Sequence, residues 1–236
     1  VTQLPADSWV EGFALRPNGH ILATRLDKAE LYTCDPDDPN AEAKMIYEFP
    51  EANGLINLCA LEGRHDEYAV ISGIVDLKTS QFGSCIIWRV ALQPEDGAAP
   101  VITKIADMPN NGFCIGVTPA SANTLLVADC YEDCIRILDI DSGETSVLIA
   151  DATMTVASPD DYFGINRIRV ANGFVWYTNT SAGLLCRVPV ESDEEKGLRV
   201  TGPVEIITSN ILHCDGLVVT NDGKTVFSAN YLSGVV

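Results

Sequence analysis

Short apolar runs separated by polar turns recur along this chain at intervals of roughly fifty residues. Each interval opens with an apolar segment, passes a turn, and continues with segments rich in β-branched residues. This pattern is typical of β-strands, and long helical periodicity is absent. The openings of the intervals are Trp9–Leu15, Leu55–Leu61, Gly112–Val117, Ile165–Val170 and Asp215–Val219. We therefore predict an all-β chain built from repeated units.

Glycine-containing turns mark the ends of the predicted strands. Asparagine, aspartate and glycine accept the positive φ angles that tight hairpins require. The turns are Pro17-Asn18-Gly19, Asp141-Ser142-Gly143, Ala171-Asn172-Gly173 and Asn221-Asp222-Gly223. The second strands are predicted at His20–Thr24, Tyr68–Ser72, Thr124–Asp129, Phe174–Asn179 and Thr225–Asn230. The third strands are predicted at Glu30–Cys34, Cys85–Val90, Cys134–Asp139, Leu185–Pro189 and Gly234–Val236.

A repeat of this length matches a four-stranded propeller blade, whereas a β-sandwich has shorter and more even strand spacing. Five openings are visible and the fifth unit stops inside a strand. We expect a single domain over 1–236, a six-bladed β-propeller whose C-terminal blade is absent from this chain. The alternative is a five-bladed ring completed by residues near Val1. The acidic stretch 191–196 is predicted to be a solvated loop between strands.

Charge narrows the range of partners. The chain carries 33 acidic against 15 basic residues, a formal net charge of −18. Such a surface repels phosphate backbones and anionic lipids, so we expect neither nucleic acid nor membrane partners. We expect a small-molecule substrate; the sequence does not indicate an oligomeric state.

The eight cysteines bear on the compartment. Cys130 and Cys134 bracket a short turn, and an even cysteine count favours disulfides and a secreted protein, with the cytoplasm as the alternative. Asn179-Thr180-Ser181 matches the N-glycosylation pattern, a triplet that is frequent by chance. Paired CxxC motifs are absent, so no zinc site is predicted.

The blade openings resemble those of the SMP-30/gluconolactonase-like family, and most closely its divergent fungal branch. That branch includes the hetero-Diels–Alderases of tropolonic sesquiterpenoid biosynthesis. The similar motifs spread over nearly the whole chain. They are Trp9-Val-Glu11-Gly, Arg16-Pro-Asn-Gly, Asn111-Gly112, Leu125-Leu-Val-Ala-Asp129, Gly164-Ile-Asn166 and Asp215-Gly216.

In hydrolytic members of that family a divalent metal, usually calcium, is held at a central site. The resemblance implies ligands at Glu11, Asn111, Asn166 and Asp215, with Asp215 also able to transfer protons. Carboxylate and amide oxygens suit calcium, which can polarise a lactone carbonyl and activate water. Each position also has a purely structural alternative. Asn111 and Asn166 would hydrogen-bond to the backbone of turns, and Glu11 would form an ion pair with Arg16.

The fungal branch implies a different chemistry, a cycloaddition that needs no cofactor. Such an enzyme holds the reacting ends together in an apolar pocket and polarises a carbonyl by hydrogen bonds. The polar candidates are Glu11, Asn166, His213 and Asp215, and the predicted apolar walls are Trp9, Phe113, Tyr162, Phe163 and Tyr231. The aromatic residues also suit a propeller core, and His213 also suits an ordinary loop.

Three functions therefore remain open from the sequence. The leading one is a natural-product pericyclase of the hetero-Diels–Alderase kind, ahead of a calcium-dependent lactonase or esterase. The third is a binding propeller without catalysis. The sequence has no Gly-x-Ser-x-Gly elbow and no phosphate-binding glycine loop, which argues against serine hydrolysis and nucleotide chemistry.

Overall fold

The structure is a computed structural model that describes residues 4–38, 40–76, 78–79, 81–93, 98–193 and 197–232, with the Asn111 side chain outside the description. Within these ranges the regular elements are β-strands and two short 3-10 helices. The all-β prediction is thus confirmed. The chain divides into two compact units, Val1–Phe113 and Cys114–Val236.

The first unit contains two four-stranded antiparallel sheets in which each strand pairs with its neighbour in sequence. The strands of the first sheet are β1 (Val10–Leu15), β2 (Ile21–Arg25), β3 (Glu30–Cys34) and β4 (Lys44–Glu48). Those of the second are β5 (Gly54–Ala60), β6 (Glu67–Asp76), β7 (Gln81–Ala91) and β8 (Val101–Asp107). The 3-10 helix η1 (Pro109–Asn111) follows β8.

Apolar side chains from both sheets of the first unit form one core. Leu22 and Leu31 of the first sheet and Leu58 and Val70 of the second are almost completely buried there, together with Phe49. Alternation along the strands places these residues on the covered faces. The hydrophobic pattern that predicts the strands therefore also identifies the core.

The second unit contains the remaining sheets, with strands paired in sequence order except for one. The first of its sheets comprises β9 (Cys114–Ser121), β10 (Thr124–Asp129), β11 (Cys134–Asp139) and β12 (Thr145–Ala150). The next comprises β13 (Ile165–Ala171), β14 (Phe174–Asn179), β15 (Leu184–Asp193), β16 (Gly197–Val200) and β17 (Glu205–Thr208), and the last β18 (Cys214–Val219) and β19 (Val226–Asn230). The exception is β17, which pairs with β15. The 3-10 helix η2 (Ala152–Met154) precedes β13.

The predicted hairpin turns are confirmed by backbone angles. Gly19, Gly143, Gly173 and Gly223 all have positive φ, between 67° and 88°. Glycine adopts such angles without the steric penalty that a Cβ atom brings. These positions therefore fix where each hairpin reverses.

The sequence pattern predicts three strands in each repeat of roughly fifty residues and sets no bounds for the outermost strands of the sheets. These are β4, β8, β12 and the pair β16 and β17, most of whose residues are exposed or only partly buried. These strands are short, and most of them carry their apolar residues contiguously, so the alternation of apolar and polar residues is weak. The predicted loop 191–196 is partly wrong, because β15 continues to Asp193. The predicted strand Gly234–Val236 lies outside the described residues, and the number of blades stays a prediction.

The expected disulfides are not formed, since all eight cysteines are thiols. The Cys130 thiol instead donates to the carbonyl oxygen of Tyr162 at 3.6 Å. Burial raises the pKa of Cys130 to about 12 and that of Cys134 to about 11, so both thiols stay protonated near neutral pH. Secretion stays a prediction without support from disulfide bonds.

Asn179, the acceptor of the predicted glycosylation triplet, is completely buried. Its Nδ2 donates to the carbonyl oxygens of Thr153 and Thr155 at 2.9 and 2.7 Å. The nitrogen that would carry a glycan is therefore inaccessible in the folded protein.

The two helices that the described residues form are single 3-10 turns, and neither has the length or apolar character of a membrane span.

Stability of the first unit is expected to fall in acid through Asp66. Arg16 Nη2 lies 2.7 Å from Asp66 Oδ2, and the Tyr68 hydroxyl donates to Oδ1 at 2.9 Å. Burial by itself raises the pKa of Asp66, but hydrogen bonds from Arg16 and Tyr68 outweigh it and the net pKa is lowered. The stabilisation is present above the unfolded-state pKa, about 3.9, and is lost as pH falls through the lower folded-state pKa.

Urea unfolding at pH 7 and near pH 3 measures this effect. Asp66→Asn is expected to lose about 1 kcal/mol less than the wild type on acidification. Asp37→Asn, at an exposed position, is the matched control and should behave as the wild type. An Asp66→Asn protein with the wild-type pH dependence would contradict the assignment.

Candidate functional site

The first strand of every described sheet carries a β-bulge near its start. The interruptions of register lie between Val10 and Phe13, Leu55 and Asn57, Cys114 and Gly116, Ile165 and Ile168, and Cys214 and Leu217. A bulge adds one residue to a strand and re-aims the side chains there, and bulges are frequent beside functional sites. The bulges therefore mark equivalent positions in the repeat.

Three of the four ligand positions implied by the resemblance occupy these bulges, namely Glu11, Asn166 and Asp215. The fourth, Asn111, lies in helix η1 ahead of β9 rather than in a strand, and its side chain is outside the described structure. The bulge residue of β9 is Ile115, which is buried. The equivalent position in that sheet is thus apolar.

In the first unit the Glu11 carboxylate is paired with Trp9. The indole Nε1 donates to Glu11 Oε2 at 2.9 Å, and the Trp9 side chain remains half exposed. The alternative ion pair of Glu11 with Arg16 is not formed, because Arg16 binds Asp66 instead. Glu11 and Trp9 therefore act as one polar and aromatic pair at the start of β1.

In the second unit Thr180 joins Asn166 to the start of β18. Asn166 Nδ2 donates to Thr180 Oγ1 at 2.7 Å, and Thr180 Oγ1 donates to the carbonyl oxygen of Cys214 at 2.8 Å. The His213 amide donates to the Thr180 carbonyl oxygen at 3.2 Å. Two predicted site residues, Asn166 and His213, are thus attached to Thr180.

Asn166 Oδ1 is buried and has no hydrogen-bond partner within the described residues. The Asn166 side chain is 3% exposed. A buried polar atom without a partner is rare, because leaving it unsatisfied costs about 1–3 kcal/mol. Such an atom is a candidate ligand-binding acceptor.

Arg167 lies beside Asn166 in the same bulge and forms an ion pair with Asp215. Its Nη2 is 3.4 Å from Asp215 Oδ1, and the guanidinium also donates to the carbonyl oxygen of Ile115. Asp215 Oδ1 is buried and, like Asn166 Oδ1, has no hydrogen-bond partner within the described residues, so the contact with Arg167 is one of charge. The Thr178 hydroxyl accepts from the Arg167 amide at 3.1 Å and donates to the Asp215 carbonyl oxygen at 3.4 Å. Arg167 and Thr178 together fix the bulge of β13 against that of β18.

This arrangement does not fit a calcium ion at Asn166 and Asp215. Calcium takes six to eight oxygen ligands, and carboxylates supply most of the compensating charge. Here Asp215 is already compensated by a buried guanidinium, and that positive charge repels a second cation. Among the described residues no group of three or more His, Cys, Asp or Glu side chains is placed to hold a metal.

His213, which is attached to Thr180, adopts an unusual conformation. Its φ is +61°, rare for a residue with a Cβ, and its ring meets Tyr231 edge-on with 5.5 Å between centroids. Tyr231 is half exposed. The intervening Cys214 is buried, which raises the pKa of its thiol to about 12, so it is no nucleophile at neutral pH.

The other predicted wall residues differ in what they can offer a ligand. Phe113 is 1% exposed and stacks on Phe82 with ring centroids 4.5 Å apart, so it fills the core of the first unit. Tyr162 is half exposed, and Phe163 lies beside it with centroids 6.5 Å apart. Of these three residues, Tyr162 and Phe163 present aromatic surface and Phe113 does not.

The loop that carries Tyr162 and Phe163 is anchored to the β13–β14 hairpin at both ends. Asn179 holds the carbonyl oxygens of Thr153 and Thr155, and the Thr153 hydroxyl bonds to that of Tyr177. At the other end the amides of Thr180 and Ser181 donate to the carbonyl oxygens of Gly164 and Phe163, each at 3.0 Å. The loop is therefore a fixed platform beside β13.

Sequence reasoning missed the roles of Thr178 and Thr180 and did not place Arg167. A signal was present, because Thr24 in β2 and Thr178 in β14 hold equivalent places. The Thr24 hydroxyl accepts from the bulge amide of Gly12 at 2.9 Å, just as Thr178 accepts from that of Arg167. A threonine near the end of a second strand thus indicates a bulge opposite it.

No protein-family model matches the chain. A curated protein from Phoma sp. named "Putative hetero-Diels-Alderase" is 24% identical over 215 residues, which cover 80% of this chain and 60% of that protein. The chain thus spans about 60% of the length of the curated relative that it matches.

Solved structures show the fold. A catalytically inactive virginiamycin B lyase from Staphylococcus aureus with quinupristin is 18% identical with a TM-score of 0.60, over 96% of this chain and 64% of that chain. The β-propeller domain of Cps50 (Swd1) from Myceliophteria thermophila is 11% identical with a TM-score of 0.60, over 94% and 67%. The chain has a β-propeller fold, as the repeat predicts.

Proposed function

We propose that this β-propeller is a small-molecule enzyme of the pericyclase kind, promoting a hetero-Diels–Alder cycloaddition. The observation that carries the proposal is the cluster of the second unit, where Asn166 Oδ1 is a buried acceptor beside the Arg167–Asp215 ion pair. The name of the Phoma relative points to the same chemistry.

The cluster suits a reaction between neutral partners. A cycloaddition needs neither a nucleophile nor a strong base, but it gains from fixed dipoles that orient the reactants and polarise one carbonyl. Asn166 Oδ1 would anchor a hydroxyl or N–H donor of the substrate. His213 would donate to the carbonyl of the heterodiene, and Tyr162 and Tyr231 would cover its apolar part.

A hydrolase has weaker support from the same atoms. Lactone hydrolysis by this scaffold requires an activated water, from a metal or from an available base. Asp215 is held by Arg167, and the buried thiol of Cys214 is protonated. The geometry therefore favours the cycloaddition over the metal-dependent lactonase.

Product analysis tests the proposed function. The full-length protein is incubated with an ortho-quinone methide precursor and a polyene, and the adduct is resolved by chiral chromatography. With the wild-type protein we expect an excess of one stereoisomer over the uncatalysed mixture. Asn166→Ala is expected to lower the rate of adduct formation roughly 10- to 100-fold. Asn210→Ala, at an exposed position, is the control and should keep full rate.

Asp215→Asn separates the two chemistries. In a cyclase shaped by orientation it should lower the rate less than about 10-fold, whereas a lactonase using Asp215 would lose nearly all activity. A racemic adduct at the uncatalysed rate with the wild-type protein would overturn the proposed function.

A further inference from the structure

The guanidinium of Arg167 is fixed from several directions. Arg167 is 4% exposed, although it carries a full positive charge. Its guanidinium reaches the Ile115 carbonyl oxygen in β9 and Asp215 Oδ1 in β18, while its amide is held by Thr178 in β14. A buried charge with this many contacts is held by the fold as a fixed element of the site.

The orientation of the Asn166 amide follows from the hydrogen bonds around it. The Thr180 hydroxyl has one proton and gives it to the Cys214 carbonyl oxygen, at 2.8 Å. The Asn166 atom 2.7 Å from Thr180 Oγ1 must therefore be the donating Nδ2. Oδ1 is consequently directed away from Thr180 and is left as an acceptor.

We propose that Arg167 is a built-in counter-ion that takes the place of a divalent cation at Asn166 and Asp215. The site then binds its ligand through an O–H or N–H donor at Asn166 Oδ1 and rejects calcium. This inference rests on the proposed function only in treating Asn166 and Asp215 as ligand-facing.

The physical reason is charge balance. A carboxylate and an amide oxygen are ligands that calcium accepts, so Asn166 and Asp215 alone would form part of a cation site. The guanidinium already supplies the positive charge that the carboxylate requires, and a dication beside it would be repelled in a partly buried setting. Arg167 is thus the residue that determines which class of ligand the site takes.

Calcium titration of the full chain tests the proposal without measuring activity. The wild type and Arg167→Lys, which keeps the charge, are expected to bind no calcium at the site, with a melting-temperature shift below roughly 1 °C at millimolar calcium. Arg167→Met leaves Asp215 without its counter-ion and should melt several degrees lower. Added calcium should restore roughly half of that loss, with about one ion bound per chain in equilibrium dialysis.

The double variant Arg167→Met/Asp215→Asn is the matched control for calcium bound elsewhere on this acidic surface. It should lose the calcium response that Arg167→Met gains. An Arg167→Met protein that folds but shows no calcium response would overturn the proposal, because something other than Arg167 would then exclude the cation.

A second measurement tests the proposal without Arg167→Met, in case that variant does not fold. The wild type and Asp215→Asn are compared for bound calcium by equilibrium dialysis. Equal and negligible binding supports the proposal, whereas one calcium per wild-type chain, lost in Asp215→Asn, overturns it. Failure of the cycloaddition assay with no calcium bound would reject the proposed function and leave the role of Arg167 standing.

Discussion

Replacing Asp129 by alanine is expected to lower the free energy of unfolding by about 3–5 kcal/mol. Asp129 Oδ2 accepts from Arg136 Nε at 2.8 Å, and the side chains of the two residues are 0% and 7% exposed. Removing the carboxylate leaves a guanidinium in the interior of the β9–β12 sheet without its counter-ion. Neutralising that guanidinium is not an option, because arginine stays protonated in proteins.

Urea unfolding with matched variants checks this expectation. Asp129→Ala/Arg136→Met removes both charges and should recover roughly half of the lost stability or more, since a buried pair replaced by apolar side chains is frequently neutral. Glu191→Ala removes an exposed partner of Arg199 and should cost less than about 1 kcal/mol. A loss for Asp129→Ala as small as that control would show that the pair is hydrated.

Replacing Gly116 by alanine is expected to damage both stability and the site. A Cβ atom at Gly116 would lie 2.4 Å from the carbonyl oxygen of Asn166, which is backbone and cannot rotate away. The strand β9 must therefore move from β13, at a cost of roughly 1–3 kcal/mol or more. Because the displaced carbonyl belongs to the bulge, Asn166 Oδ1 and Arg167 would move with it.

Two measurements separate these effects. Urea unfolding should show the stability loss, and the stereoisomer excess in the cycloaddition assay should fall more than about 10-fold, since small misplacements of binding groups are costly. Gly216→Ala is the stability control, because its Cβ would meet only the Ala229 Cβ at 3.3 Å. Equal stability of the two variants would mean that β9 and β13 have room to separate.

The sequence predicts the inner part of each sheet well, because those strands are apolar on both faces and end in distinctive turns. The five openings and the hairpin glycines are found where the pattern places them. The outer strands are harder to predict, because they are short and most of them lack the alternation of apolar and polar residues that identifies a strand. The expected pairing of Cys130 with Cys134 fails for a geometric reason, as the thiol of Cys130 is directed to Tyr162.

The candidate site was predicted as a set of polar residues but not as an arrangement. Glu11, Asn166 and Asp215 do share equivalent bulges. The partners that give each residue its chemistry come from other strands, as with Thr180 for Asn166 and Arg167 for Asp215. Contacts between strands depend on register, which the hydrophobic pattern within one strand does not determine. The placement of Phe113 in the core shows the same limit for aromatic residues.

Every described strand except β17 pairs with a neighbour in sequence, and β17 pairs with β15, two strands earlier. This pairing has a consequence for synthesis on the ribosome. A sheet whose partners are adjacent in the chain can complete its ladder as soon as its own segment has emerged, without waiting for distant residues. Local contacts of this kind close small loops and so favour fast, sequential folding from the N-terminal side. The nascent chain should therefore acquire protease resistance in steps, one sheet at a time, as translation proceeds.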